Sequence, residues 1–373
     1  MEKIRMGVAG IGGMGSNHAQ TIAGLENCQL EAVCDSSPKT LDKFSAPGAD
    51  KVSKFTDYKK FLKEAKIDAV LIATPHYYHP DMAAEAMRAG KHVLVEKPVA
   101  VHKKAAEELL AVAAQFPKLV KCAMFNQRAI PAHKKIKSLI NSGELGDIYR
   151  ISWIVTDWFR TQAYYNSGSW RATWAGEGGG VLLNQCPHQL DLMQWFFGMP
   201  EKVSAVVRLG RYHDIEVEDD VNATLEYPGG AVGNFISSTG EAPGTNRLEI
   251  SADRGRLVFE RGKLEFIRTE TSVAEFRRHA KTAFGLPELW NADIPAATSN
   301  PSQHRDIIKN FADAILSGEK LIAPLEDGIR GLELGNAMLL SGLRGKTVSL
   351  PMDSNEYAAL LAELTANSKH AKK

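Results

Sequence analysis

The chain has 373 residues, 24% of them charged, and 45 Lys and Arg against 44 Asp and Glu leave a formal net charge of +1. That balance argues against a nucleic-acid surface or an acidic tail, and the length predicts two domains. The four cysteines, Cys28, Cys34, Cys122 and Cys186, show no C-x-x-C spacing and fit a reducing compartment. Met1-Glu2-Lys3 leads straight into an apolar strand, and no segment approaches eighteen uninterrupted apolar residues, so a cytoplasmic protein without a membrane partner is expected.

From Ile4 to about Met124, strand-like runs (4–9, 30–34, 69–73, 92–95, 119–125, and a weaker one near 51–55) alternate with helical patterns at 16–25, 57–65, 80–89 and 103–114. This alternation is the signature of βαβ units and a parallel sheet, and it predicts a dinucleotide-binding Rossmann domain over 1–125. A helix is expected to about Asn141. Strand-like runs then follow one another without helices between them, at 149–155, 203–209, 221–227, 231–238, 247–251 and 256–259, with Pro228-Gly229-Gly230 as a hairpin turn. An α+β domain built on an antiparallel sheet is therefore expected over 126–373, closed by helices at 303–316 and 328–342. Residues 268–300 read as a long irregular segment, functional or an oligomer arm, and the tail after Ala366 is polar.

Gly10-Ile11-Gly12-Gly13-Met14-Gly15 follows the first strand and opens the first helix. Gly10 allows the turn, Gly12 lets backbone approach a pyrophosphate, and Gly15 allows close helix packing. The free N–H groups of the helix start complete a phosphate site. Asp35 ends the second strand, 20 residues after Gly15, where a carboxylate accepts hydrogen bonds from a ribose and repels a 2′-phosphate; no arginine follows in Ser36-Ser37-Pro38. NAD is expected over NADP. Val93-Leu94-Val95 runs into Glu96-Lys97-Pro98, which sets an ammonium at the carboxyl edge of the sheet, the edge that binds ligands in such folds. Thr74-Pro75 and His79 belong to the same edge. Two histidines three apart, His76 and His79, have no further ligand at matching spacing, so no metal is expected.

If a helix starts near Asn184, then Asn184 and His188 share one of its faces. Histidine titrates in the range that alcohol oxidation requires of a base. Upstream, four of the six tryptophans lie between Trp153 and Trp174. Trp158, Tyr164 and Trp170 could stack on a sugar face, and Asp157, Arg160 and Arg171 could bind its hydroxyls; equally, such aromatics fill a seam between sheet and helices.

Gly10 to Gly15 with Ser16-Asn17-His18, the Thr74-Pro75 loop, Glu96-Lys97-Pro98, Asn126-Gln127-Arg128 with Pro131, and Gly178-Gly179-Gly180 followed by His188-x-x-Asp191 occur in the order found in the Gfo/Idh/MocA oxidoreductases, and the chain resembles that family throughout. The resemblance implies a Rossmann domain, a second domain with a large open antiparallel sheet, and a homodimer or homotetramer built on that sheet. It implies that Lys97 and His188 are catalytic and that the Lys97–Pro98 peptide is cis. Many dehydrogenases of the family carry aspartate where this chain has Asn184, which is expected to position substrate. Gly10 to Gly15, Asp35, Thr74, Pro75, His79, Glu96 and Lys97 are expected at the cofactor. Lys97, Asn126, Trp158, Arg160, Tyr164, Trp170, Arg171, Asn184 and His188 are expected at a carbohydrate or polyol substrate. Three activities fit: NAD-dependent oxidation of a secondary hydroxyl of a sugar, sugar derivative or inositol; glycoside cleavage through transient oxidation and elimination; or an NAD-binding regulator without turnover.

Overall fold

The computed structural model describes residues 2–168, 170–297 and 299–368, so the end of the polar tail lies outside the described residues. The chain forms two compact units. The first gathers Met1–Ala129, Gly176–Gly178 and Pro301–Leu332; the second gathers Ile130–Ala175, Gly179–Asn300 and Glu333–Lys373.

Six parallel strands make the sheet of the first unit: β1 (Ile4–Ala9), β2 (Cys28–Cys34), β3 (Ser53–Phe55), β4 (Ala69–Ile72), β5 (His92–Val95) and β6 (Lys121–Ala123), in the order β3-β2-β1-β4-β5-β6. The order reverses between β1 and β4, the switch point at which open α/β sheets bind ligands. Met6, Val8, Val70, Leu71, Ile72, Val93, Leu94 and Val95 are fully buried, as strands covered on both faces require. The helix Gln303–Ser317 packs on β1 and on the first helix, Gly13–Ala23. Its Ile307, Ile308 and Phe311 are buried, and the Asn27 amide donates to Asp313 Oδ1 at 2.7 Å and to the Lys309 carbonyl at 3.1 Å. A single domain over 126–373 therefore does not describe this segment, because an apolar stripe shows that a helix covers something without showing which sheet.

The sheet of the second unit has nine strands: β7 (Ile148–Val155), β8 (Lys202–Leu209), β9 (Glu218–Glu226), β10 (Val232–Ser238), β11 (Asn246–Ala252), β12 (Gly255–Glu260), β13 (Lys263–Thr269), β14 (Leu289–Ala292) and β15 (Val348–Ser349). Their order is β14-β13-β12-β11-β7-β10-β9-β8-β15. Every pairing is antiparallel except β7 with β10, so the expected antiparallel sheet carries one parallel seam. One row of side chains crosses it in register, Ala223 beside Phe235, Phe235 beside Trp153, and Trp153 beside Leu248. Trp153 then stacks on Phe196 of the helix Pro187–Phe197, ring centroids 6.3 Å apart. The turn Pro228-Gly229-Gly230 joins β9 to β10 as expected. Residues 268–300 are more regular than their composition implies, holding the helix Val273–His279 and the edge strand β14. Phe284, Leu286, Leu289 and Trp290 are exposed there. Among the described residues no helix is long and apolar enough to cross a membrane.

Candidate active site

The carboxyl edge of the first sheet collects most of the residues expected at the cofactor. Gly10 has φ +85°, and a Cβ there would lie 2.7 Å from the Ala73 carbonyl oxygen; at Gly15 a Cβ would lie 1.7 Å from the carbonyl oxygen of Gly10. Only glycine fits at either position. Beyond them Gly12, Gly13 and Met14 are exposed, and the helix starts at Gly13 with no side-chain cap and no acidic residue in its first turn. Its N–H groups are thus left to an anion. Asp35 is fixed through both oxygens, Oδ2 accepting from Ile11 N at 2.8 Å and Oδ1 from Ser37 N at 2.9 Å. Beside the loop lies a cavity of about 350 Å³ lined by Ile11, Gly12, Gly13, Ser16, Lys39, Thr40, Lys43 and Phe44. Open backbone, an uncapped helix start and an anchored carboxylate fit a dinucleotide.

Lys97 follows β5 on the same edge, half-buried, with a cis peptide to Pro98. Glu96 is buried, its Oε1 2.6 Å from His18 Nε2 and its Oε2 accepting from Lys97 N at 2.9 Å. His18 lies beside His304, ring centroids 5.7 Å apart, and His304 Nδ1 is 3.4 Å from Asn126 Nδ2. Oδ1 of Asn126 is buried without a hydrogen-bond partner among the described residues. Sequence reasoning gave His18 no role and missed His304 altogether; a single histidine at the head of a late helix carries no local signal. His79, expected at the cofactor, is buried at the head of the helix that follows β4. Both ring nitrogens face backbone carbonyls, of Pro98 at 2.7 Å and of Thr74 at 2.7 Å, so the ring ties the loop after β4 to the Lys97 corner. Among the described residues no three His, Cys, Asp or Glu side chains are grouped to hold a metal ion.

Burial pushes the His76 pKa down to about 3, helped by the charges of His79 and Lys97. Burial likewise lowers His79, against the pull of its two carbonyls, and lowers His304. A base held neutral in the fold but free to charge when unfolded adds stability that is complete above its unfolded pKa of 6.5 and is lost as pH falls toward the folded value. Unfolding free energy should therefore drop between pH 7 and pH 5, by roughly 2 kcal/mol from His76 alone. His76→Asn should flatten the slope in urea titrations; an unchanged slope would show that His76 is not the group responsible.

In the second unit, the turn before the helix Pro187–Phe197 is held by Glu218. Its carboxylate, wholly buried at the head of β9, accepts from Gly180 N at 2.8 Å and Leu182 N at 3.0 Å, while its own carbonyl accepts from Val181 N at 2.9 Å. Glu218, Asp219 and Asp220 are all buried. Asp219 accepts from Arg211 N, Tyr212 N and His213 Nδ1 at 2.8–2.9 Å. Glu218→Ala would orphan two buried N–H groups and should cost about 2–4 kcal/mol of stability by urea denaturation; a loss below about 1 kcal/mol would mean that water replaces the carboxylate.

Asn184 is not on the helix. It lies in a turn, its N–H donating to the Gly180 carbonyl at 2.9 Å, and the helix begins only at Pro187 with Cys186 as its cap. Pro187 is well suited to a first helical position, so the helical-spacing argument for Asn184 and His188 does not hold, although both are half-buried within five residues of chain. The aromatic stretch divides. Trp153, Tyr165 and Trp174 are core, whereas Trp158, Tyr164 and Trp170 are half-buried. The Arg160 guanidinium lies 5.5 Å from the Trp158 ring and 4.9 Å from the Tyr164 ring. That of Arg171 lies 4.6 Å from Tyr164 and 4.7 Å from Trp170.

Residues 4–123 match the oxidoreductase family with an NAD-binding Rossmann fold, and residues 133–258 match the GFO/IDH/MocA C-terminal domain. Levoglucosan dehydrogenase of Pseudarthrobacter phenanthrenivorans is 26% identical over 399 aligned positions, covering 95% of this chain and 100% of that protein. The WlbA dehydrogenase of Chromobacterium violaceum, solved with NADH and UDP-GlcNAcA, is 25% identical with a TM-score of 0.79, over 95% of this chain and 97% of that one. Levoglucosan dehydrogenase solved with NADH and levoglucosan has a TM-score of 0.78 at 22% identity, over 94% of this chain and 100% of that one, a likeness of fold. With both domains matched and the glycine loop, Asp35 and the Lys97 corner on one sheet edge, the chain belongs to the Gfo/Idh/MocA family of NAD-binding oxidoreductases.

Proposed function

We propose that the protein is an NAD-dependent dehydrogenase of a secondary hydroxyl on a sugar, sugar derivative or polyol, acting in the cytoplasm. The observation that carries the reading is Lys97, a half-buried ammonium on the same sheet edge as the glycine loop and Asp35. Bound NAD supplies the hydride acceptor. Lys97 hydrogen-bonds the reacting oxygen and stabilises its developing negative charge, and His188 takes the hydroxyl proton. Asn184, an amide in place of a carboxylate, orients the substrate without adding a negative charge. Similarity to levoglucosan dehydrogenase over 95% of the chain supports a carbohydrate substrate. The exposed Phe284, Leu286, Leu289 and Trp290 beside the edge strand β14 suit a contact between copies of the chain.

A panel of sugars, inositols and glycosides, incubated with NAD or NADP and read for reduced cofactor and for released aglycone, tests the reading. Accumulating NADH with a free sugar or polyol is the expected result. Aglycone without net NADH would replace it with glycoside cleavage, and tight NAD binding with neither product would replace it with a regulator.

A further inference from the structure

We propose that Arg160 and Arg171 form a seat for an oxyanion on the substrate, a carboxylate or a phosphate, so that the preferred substrate is an acidic sugar. The inference rests on the reading of the second unit as the substrate-binding part of a dehydrogenase. A guanidinium is permanently charged, and its planar fork matches the acceptor oxygens of such groups. Arg5, Arg128, Arg150, Arg211, Arg247, Arg268, Arg330 and Arg344 each pair with a carboxylate. Among the described residues Arg160 and Arg171 form no such pair; other arginines, Arg88 and Arg208 among them, are also unpaired, and what sets these two apart is that both lie against Tyr164. Arg160 donates from Nη1 to the Phe159 carbonyl at 2.9 Å, and its Nε is buried with no acceptor among the described residues. Arg171 donates from Nη1 to the Tyr164 hydroxyl at 2.8 Å.

Both cations approach the ring of Tyr164. Each also has a flanking tryptophan, Trp158 for Arg160 and Trp170 for Arg171. Aromatic faces orient a guanidinium and attract it by about 0.5–1 kcal/mol at exposed sites, but they do not neutralise it. Two half-buried positive charges beside one ring repel each other, and an anion bridging them would remove that repulsion. Two further groups await a partner. Trp158 Nε1 is a buried donor without an acceptor among the described residues. Gln185, 5% exposed, reaches the Tyr164 hydroxyl through Nε2 at 3.4 Å while its Oε1 accepts nothing among the described residues. Gln185 directly follows Asn184, so the seat adjoins the segment assigned to substrate orientation. In this arrangement the guanidiniums take the oxyanion and Gln185 takes a neighbouring hydroxyl.

The test is calorimetric titration of the NAD-loaded protein with matched pairs: D-glucuronate against D-glucose, D-galacturonate against D-galactose, and D-glucose 6-phosphate against D-glucose. At least one acid should bind roughly tenfold or more tightly than its neutral partner, as expected for hydrogen bonds to a charged group. The uronates and the phosphate separate the two sources of the oxyanion. Raising salt from 50 to 300 mM should weaken the acid and leave the neutral sugar unchanged, a readout that requires no variant. Arg160→Gln and Arg171→Gln should each lower the acid-to-neutral preference while NAD affinity stays constant, with Arg171→Lys between wild type and Gln. A wild type without preference in any pair, or a preference that survives salt and both glutamine variants, overturns the proposal. NADH formation is scored separately: acid binding that depends on the arginines without turnover keeps the seat and removes the dehydrogenase, and oxidation of neutral sugars without acid preference does the reverse.

Discussion

Lys97→Ala should lower kcat by about 10²–10⁴ while the Kd for NAD changes by less than about threefold. The ammonium sits at the end of β5 and in this reading meets the oxygen that becomes negative, so its contribution appears only as the bond to hydrogen breaks. In this reading most NAD contacts are expected from the glycine loop and Asp35, and although Lys97 is also expected near the cofactor, its backbone N–H, which bonds to Glu96 Oε2, survives the substitution. Fluorescence titration of NAD followed by steady-state turnover separates the two quantities. A variant that turns over near the wild-type rate would leave Lys97 as part of the wall of the site.

Asp35→Ser combined with Ser36→Arg should move the NAD-to-NADP ratio of kcat/KM by on the order of 10²–10³ in favour of NADP. The carboxylate cannot swing aside for a 2′-phosphate, because Ile11 N and Ser37 N hold both its oxygens. Once it is gone, the new arginine joins Lys39 and Lys43, which already line the adjoining cavity. The wild type should prefer NAD. A wild type that prefers NADP would show that the two lysines outweigh Asp35.

The first unit was readable because its signals are local. Buried parallel strands appear as unbroken apolar runs, and β4 and β5 emerged within a residue or two of their observed ends. The glycine loop and Asp35 were fixed by spacing along a few dozen residues. Strands β14 and β15 went unmarked because they are short edge strands that bury little; β13, an interior strand of seven residues with Leu264 and Phe266 buried in alternation, was missed although its pattern was there to read. The site was harder to read where its parts come from distant chain segments. His304 meets His18, and Glu218 caps a turn that lies 38 residues earlier; neither has a neighbour in sequence that announces the partnership. Asn184 shows the opposite error, a local rule carried one turn too far, for Pro187 marks where the helix could begin.

The first unit takes up three separate pieces of the chain, the last of them Pro301–Leu332. On a ribosome its six strands emerge early, yet Asn27 must wait for Asp313, and Ala123 N for the Ala323 carbonyl, 2.9 Å away in the finished protein. The cofactor-binding unit therefore cannot mature before the chain that makes up most of the other unit has been synthesised. A fragment ending at Phe125 would expose β1 where the helix Gln303–Ser317 belongs, so a cut in the chain between the two units would strip the first of a covering helix even though each has its own core.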